Sequence, residues 1–221
     1  MKNKFHVSEI FYSIEGEGKR TGYLSVFIRL TGCNLRCSYC DTKYAQIQGK
    51  DDTEVLTEDE VIARVNSFKC RKVTLTGGEP LLHDVQSLVT KLSKLGYEVN
   101  IETNGAVPLL KERPANVFFT MDWKCPSSGE NLKMLENNLF RLKSYDVLKF
   151  VVGNIEDLTE MKRIIRKYRG FYNRPLFYVS PVFGEIKPAD IVDYIKQNKL
   201  TDVCVQVQLH KIIWNPNERG V

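Results

Sequence analysis

Leu24-Ser-Val-Phe-Ile-Arg-Leu30 runs without a break into Thr31-Gly-Cys33-Asn-Leu-Arg-Cys37-Ser-Tyr39-Cys40-Asp-Thr42. The first half is apolar and rich in β-branched and aromatic side chains, and it reads as a buried strand. The second half sets three cysteines within eight residues at the strand's C-terminal end. A closed tetrahedral zinc site and a fully ligated four-iron cluster each use four protein ligands. Three thiols in one loop therefore either borrow a distant ligand or leave one coordination position open.

Outward from this stretch the chain alternates strand and helix signals. Thr57-Glu-Asp-Glu60 has the spacing of a capping box and opens an amphipathic helix through Phe68, with Val61, Ile62, Val65 and Phe68 on one face. Lys72 to Thr76 reads as the next strand, followed by Gly77-Gly78-Glu79-Pro80 and a helix from Asp84 to Leu95 stopped by Gly96. Further strands are expected near Glu98 to Glu102, Val117 to Met121, Val147 to Val152, Phe177 to Val179 and Val203 to Val207. Helices over Ile155 to Tyr168 and Pro188 to Asn198 separate the later ones. Such alternation predicts an α/β fold with a mainly parallel sheet, either open and doubly wound or a partial barrel. At 221 residues the chain is short for a complete eight-stranded barrel, so an incomplete, partial TIM-like barrel in a single domain over residues 1–221 is expected. The unusual residues at 32–42, 76–80, 103–105, 122–124 and 180–181 all follow strands, and in either architecture such loops converge on one ligand-binding face.

Hydrophobic residues make up 43% and charged residues 27%, an ordinary globular balance, and no apolar run approaches the roughly 20 residues that span a bilayer. The N-terminal Met1 to Ile10 is basic but lacks the apolar segment of a secretory signal, so a soluble, cytoplasmic protein with no membrane partner is expected. Six cysteines in that setting read as metal ligands or reduced thiols rather than disulfides. Cys70 and Cys204 read as small packed side chains, and Cys125, beside a strand-end loop, as a packed thiol near the pocket. The formal charge of +5 is scattered among 27 acidic residues rather than gathered in a stripe, so no direct nucleic-acid partner is implied.

A spacing of four and then three residues lets three thiolates wrap one corner of a compact cluster, with Gly32 allowing close backbone approach. Structural zinc is the alternative, although zinc ribbons supply cysteines as two separated pairs. Cys33-x-x-x-Cys37-x-x-Cys40, with Tyr39 before the third cysteine, resembles the cluster loop of the radical S-adenosylmethionine superfamily. Gly77-Gly78-Glu79-Pro80, by itself an ordinary turn, is a second resemblance in the expected order. The resemblance implies one 4Fe-4S cluster held by Cys33, Cys37 and Cys40, with S-adenosylmethionine on the open iron.

Within that superfamily the chain resembles the ring-contracting 7-carboxy-7-deazaguanine synthase family along nearly its whole length. The resemblance is carried by Ile10-Phe-Tyr-Ser-Ile-Glu-Gly-Glu-Gly18, Phe27-Ile-Arg-Leu-Thr-Gly-Cys33, Cys40-Asp-Thr42, Asp122-Trp-Lys-Cys-Pro-Ser-Ser-Gly129, Gln208-Leu-His-Lys-Ile-Ile-Trp214 and Arg219-Gly-Val221. It implies cofactor contacts at Tyr39, Cys40, Asp41, Gly78, Glu79, Asp122, Trp123, Lys124 and Ser180, and substrate contacts at Ile14, Glu15, Gly16, Arg29, Thr76 and His210. Arg29 offers a planar fork suited to a carboxylate. Thr42 matches the position whose hydroxyl binds Mg²⁺, a cation that keeps several waters and needs few protein ligands. Glu15 stands where the family often has Gln, and Asp122-Trp123 where it often has Ser-Pro. His6 and His83 match no family role.

What the resemblance implies is conversion of a carboxytetrahydropterin to a carboxydeazaguanine with loss of ammonia, on the route to queuosine or another 7-deazapurine. The cluster and cofactor would carry the chemistry, with no protein side chain as catalyst. A low-potential donor such as a flavodoxin or ferredoxin, and a homodimer, are implied as partners. Two rivals share the cysteine spacing: a glycyl-radical activating enzyme, and a non-catalytic iron-sulfur or zinc module.

Overall fold

Leu24–Leu30 is a strand in the computed structural model, which describes residues 3–48 and 53–221. Met1 and Lys2, the start of the basic N-terminal segment, lie outside the described residues. Val26, Ile28 and Leu30 are fully buried, and Phe27 on the alternate side is nearly so. Cover on both faces is what a near-continuous apolar run requires, and it is characteristic of parallel sheets.

The strands are β1 (Lys4–Ile14), β2 (Leu24–Leu30), β3 (Glu54–Thr57), β4 (Lys72–Gly77), β5 (Glu98–Thr103), β6 (Val117–Lys124), β7 (Val147–Val152), β8 (Leu176–Pro181) and β9 (Val203–Val205). Among the described residues they form one sheet in the order β3-β1-β2-β4-β5-β6-β7-β8-β9. β1 pairs antiparallel with β2 and β3, and every later neighbour is parallel. From β2 onward the order follows the chain and never reverses. That is the winding of an incomplete barrel, since a doubly wound sheet needs a point where strand order turns back. The sheet does not close.

The helices are α1 (Glu58–Ser67), α2 (Gln86–Lys94), α3 (Glu136–Leu139), α4 (Ile155–Tyr168), α5 (Pro188–Gln197) and α6 (Leu209–Ile213). Their apolar faces complete the core: Val61 and Val65 from α1, Leu88, Val89 and Leu92 from α2, and Leu158, Met161, Ile164 and Ile165 from α4 are all buried. The expected helices are found within a residue or two of their expected bounds. β1, β3, α3 and α6 were not anticipated, and residues 104–116 cross from β5 to β6 without a helix.

The capping box at α1 forms as the sequence implies. The Glu60 amide donates to Thr57 Oγ1 (3.4 Å), and the Thr57 amide donates to Glu60 Oε2 (2.7 Å). Thr57→Ala removes the side-chain acceptor and is expected to cost about 1 kcal/mol, with Thr57→Ser recovering most of it. Urea denaturation of the three proteins checks this, and an unchanged midpoint in the alanine variant would contradict it.

Candidate active site

The end of β2 and the end of β4 are joined backbone to backbone. Leu30 lies opposite Gly77 in the parallel register, the Gly78 amide donates to Leu30 O (3.0 Å), and the Glu79 amide donates to Gly32 O (2.8 Å). Gly77 has φ +146°, and a Cβ on it would collide with the Leu30 backbone; one on Gly78 would collide with Gly32 O. Two glycines are therefore what lets the cysteine loop lie across the tip of β4. Glu79 sits beneath this joint, fully buried, and accepts from Thr103 Oγ1 (2.9 Å), the Asn104 amide (2.6 Å) and the Leu81 amide (3.0 Å). Burial outweighs these bonds and pushes its carboxyl up to about 7.

The loop is braced from outside as well. Ser38 N–H donates to Ser128 O (3.1 Å), Arg36 N–H to Glu130 Oε1 (2.6 Å), and Asn104 Nδ2 to Asn34 Oδ1 (2.9 Å) and to Cys33 Sγ (3.7 Å). Cys33, Cys37 and Cys40 are unpaired, partly exposed, and line one cavity of about 280 Å³. Burial raises the Cys33 and Cys37 thiols above their ordinary value, with the nearby Cys40 adding to it. Among the described residues no three His, Cys, Asp or Glu side chains converge as a single-ion site. Three free thiols of one loop that line one cavity suit a polynuclear group in which each thiolate takes its own metal.

The cavity floor is a chain of mostly buried charges from three elements. Lys124 Nζ lies 2.6 Å from Asp122, Lys149 Nζ lies 3.3 Å from Asp122, and Lys149 Nζ lies 3.2 Å from Glu17. Burial alone would raise Glu17 and Asp122, but the lysines hold both carboxyls below their usual range. Burial opposes the lysine charges too, and the carboxylates win, leaving both ammonium groups firmly protonated. Beside this chain, Thr76 Oγ1 donates to Glu102 (2.9 Å). Burial drives Glu102 up to about 7; Lys149 and Thr76 pull it down, and Glu15 and Asp122 push it further up.

Ile14, Gly16, Arg29, Tyr39, Asp41, Thr42, Thr76, Gly78, Asp122, Lys124 and His210 join the three cysteines in lining the cavity. Thr42 Oγ1 is 3.7 Å from Cys40 Sγ, and Asp41 pairs with Lys211 from α6 (3.0 Å). Four expected contacts lie elsewhere. Trp123 points to the opposite face of β6, as alternation along a strand dictates between Asp122 and Lys124, and donates to Glu160 (3.1 Å). Glu15 is turned inward and ion-paired to Arg20 (2.6 Å). Glu79 is the buried tie described above, and Ser180 is fully buried, facing Glu17 from behind the wall. Cys125 is a packed thiol, fully buried.

Sequence reading missed Glu9, Glu17, Tyr44, Glu102, Lys149 and most of the C-terminal segment. Lys149 had a signal: it is the lone charge in the apolar strand Val147-Leu-Lys-Phe-Val-Val152 and is 8% exposed. The C-terminal residues 216–221 also line the cavity, and α6 is tied to its rim where the Leu209 amide donates to Gly16 O (3.1 Å).

Residues 27–196 match the family model of the radical SAM superfamily. The chain is 46% identical to a 7-carboxy-7-deazaguanine synthase of Clostridium acetobutylicum, over 98% of this chain and 99% of that protein. It is 41% identical to one of Methanospirillum hungatei, over 95% of this chain and 86% of the relative. The crystal structure of QueE from Escherichia coli shares the fold, with a TM-score of 0.77, 23% identity, and coverage of 93% and 94% of the two chains.

Glu102 makes a pH dependence measurable. Its folded pKa of about 7 lies above the ordinary 4.5, so the native protein binds more protons than the unfolded chain between these values. The contribution of Glu102 is full below pH 4.5 and is lost as pH rises through about 7. Stability of the native protein relative to Glu102→Gln is therefore expected to fall from pH 5 to pH 8 in urea titrations. A pH-independent difference would show that Glu102 ionises normally.

Proposed function

The chain belongs to the radical S-adenosylmethionine superfamily and, within it, to the 7-carboxy-7-deazaguanine synthases, and on that premise we propose a division of labour among its residues. It is an enzyme that converts 6-carboxy-5,6,7,8-tetrahydropterin to 7-carboxy-7-deazaguanine and ammonia by ring contraction, the reaction of queuosine and related 7-deazapurine biosynthesis. Its superfamily cofactors, a 4Fe-4S cluster and S-adenosylmethionine, supply a one-electron cleavage that delivers a hydrogen-abstracting radical.

The observation that carries the proposal is that three unpaired thiols, the Thr76 and Gly78 strand end and the Arg29 guanidinium all line one cavity. Cys33, Cys37 and Cys40 hold the cluster, while Tyr39, Asp41, Gly78, Asp122 and Lys124 border the cofactor. Glu79, Trp123 and Ser180 support that region from behind. Ile14, Gly16, Thr76 and His210 border the pterin, with Arg29 on its carboxylate; Glu15 acts by fixing the backbone of the same segment through Arg20. The paired charges of Glu17, Lys149, Asp122 and Lys124 give the floor fixed dipoles with little net charge, which orient a polar substrate without admitting mobile water.

Thr42 is assigned to Mg²⁺: its hydroxyl lines the cavity beside Cys40, and a neutral single ligand suits a cation that keeps its waters and takes substrate oxygens. A low-potential protein donor supplies the electron, and the working state is a cytoplasmic homodimer of single-domain chains. Among the described residues no helix is long and apolar enough to cross a membrane.

Anaerobic, iron-loaded protein given S-adenosylmethionine, a reductant, Mg²⁺ and carboxytetrahydropterin is expected to yield carboxydeazaguanine in excess of cofactor consumed. Deoxyadenosine without that product would remove the pterin substrate. Alanine at Cys33, Cys37 or Cys40 is expected to abolish both iron loading and turnover. Thr42→Ala is expected to slow turnover and blunt its Mg²⁺ response with cofactor binding intact; a native Mg²⁺ titration in that variant would refute the metal assignment.

A further inference from the structure

Arg29 is held in place by a defect in the sheet. Along the antiparallel pair β1/β2, Val7 lies opposite Leu30 and Glu9 lies opposite Arg29, so two steps on β1 match one on β2 and Ser8 is the extra residue of a bulge. In unbroken register Ser8 would face Arg29, and Glu9 would project from the other side of the sheet. Bulges re-aim side chains beside functional sites, and this one brings a carboxylate across from the arginine.

Glu9 Oε1 accepts from Arg29 Nε (2.7 Å) and from the Tyr44 hydroxyl (2.8 Å). Arg29 thus spends its side-facing nitrogen on the protein, and among the described residues its two terminal nitrogens make no hydrogen bond. The guanidinium lies 5.5 Å from the centre of the Phe11 ring and 5.9 Å from that of Tyr44. Phe11 is itself stacked on Phe27, with centroids 4.9 Å apart and planes 7° off parallel. Arg219 covers Tyr44 at 3.4 Å from the ring centre, so the C-terminal segment packs on the same assembly.

We propose that Glu9 is a positioning residue which, through the Ser8 bulge and with Tyr44, fixes the Arg29 fork in the orientation that receives the substrate carboxylate. The inference rests on the assignment of Arg29 to that carboxylate and adds the residue that aims it. An arginine free to rotate loses rotamer entropy on forming a bidentate pair; one already bonded at Nε and flanked by two rings loses little. Glu9 also subtracts charge from the site, so on electrostatics alone its removal would strengthen anion binding. Positioning and charge therefore predict opposite signs.

The experiment is equilibrium binding to iron-loaded protein with S-adenosylmethionine, comparing 6-carboxytetrahydropterin with 6-methyltetrahydropterin, which lacks the carboxylate. Glu9→Ala is expected to weaken the carboxylated ligand about tenfold or more, the loss of one charge-assisted anchor. Binding of the methyl ligand should stay within about twofold, with iron content and cofactor affinity unchanged. Glu9→Gln keeps an oxygen that accepts from Nε and is expected to restore most of the loss. Tighter binding of the carboxylated ligand by Glu9→Ala, or equal weakening of both ligands, would overturn the positioning role while leaving the substrate assignment intact. Failure of the unaltered protein to bind 6-carboxytetrahydropterin would remove that assignment and this inference together.

Discussion

Two backbone hydrogen bonds, Gly78 N–H to Leu30 O and Glu79 N–H to Gly32 O, fix the relation between the cysteine loop and the sheet, and the site depends on them. They are possible because residues 77 and 78 have no side chain to push the loop away. Glu79 extends the joint sideways: its carboxyl holds the Asn104 amide and Thr103 at the end of β5, and Asn104 in turn reaches Asn34 and Cys33 in the loop. One carboxyl thus ties the end of β4 to the end of β5 and, through Asn104, to the cysteine loop that follows β2. Its burial is costly for a charged group, and a loop that carries three thiols in register is where such a cost is tolerated.

The floor solves a different problem. Thiolates, a sulfonium cofactor and an anionic substrate bring strong charges into a confined space, and an unbalanced protein wall would favour one at the expense of the others. Glu17, Asp122, Lys124 and Lys149 alternate in sign along β6, β7 and the segment after β1, and each is held ionised by its neighbours against the pull of burial. Removing any one would leave the other three with a net charge in a mostly buried wall, so the set acts as a unit.

How much of this was legible follows from where the information lies. The parallel strands, α1, α4 and the cysteine loop were readable because periodicity and capping are local, and the strand-end position of each motif followed from the alternation. β1 was not, since the bulge at Ser8 interrupts its two-residue period and β3 is only four residues long. The inward turn of Glu15 and the outward turn of Trp123 were hidden for another reason. A motif gives position along the chain, whereas the face a side chain takes is set by pairing register and by partners: Arg20 in the same connecting segment for Glu15, and Glu160 on α4 for Trp123. Lys149 was visible as a charge in an apolar strand, but its partners Glu17 and Asp122 were not.

Two arginine–glutamate pairs involve neighbouring residues of this corner, and their difference separates support from recognition. Arg20 and Glu15 are 5% and 2% exposed; the two terminal nitrogens of Arg20 are spent on Glu98 O, Val73 O, Thr74, Ser25 and Glu15 itself. Neither terminal nitrogen is left over for a ligand, Nε is buried without a partner among the described residues, and the pair serves the fold by pinning the segment between β1 and β2 to β4. Arg29 and Glu9 are 14% and 21% exposed, with the bond made through Nε and the fork directed elsewhere. The same two residue types, within one strand pair and its connecting loop, thus do opposite things according to which nitrogens the protein uses. A buried arginine whose terminal nitrogens are consumed internally is a brace; one fastened by Nε in a cavity wall keeps the two terminal nitrogens that suit a planar anion, and this difference is the ground for the role proposed for Arg29.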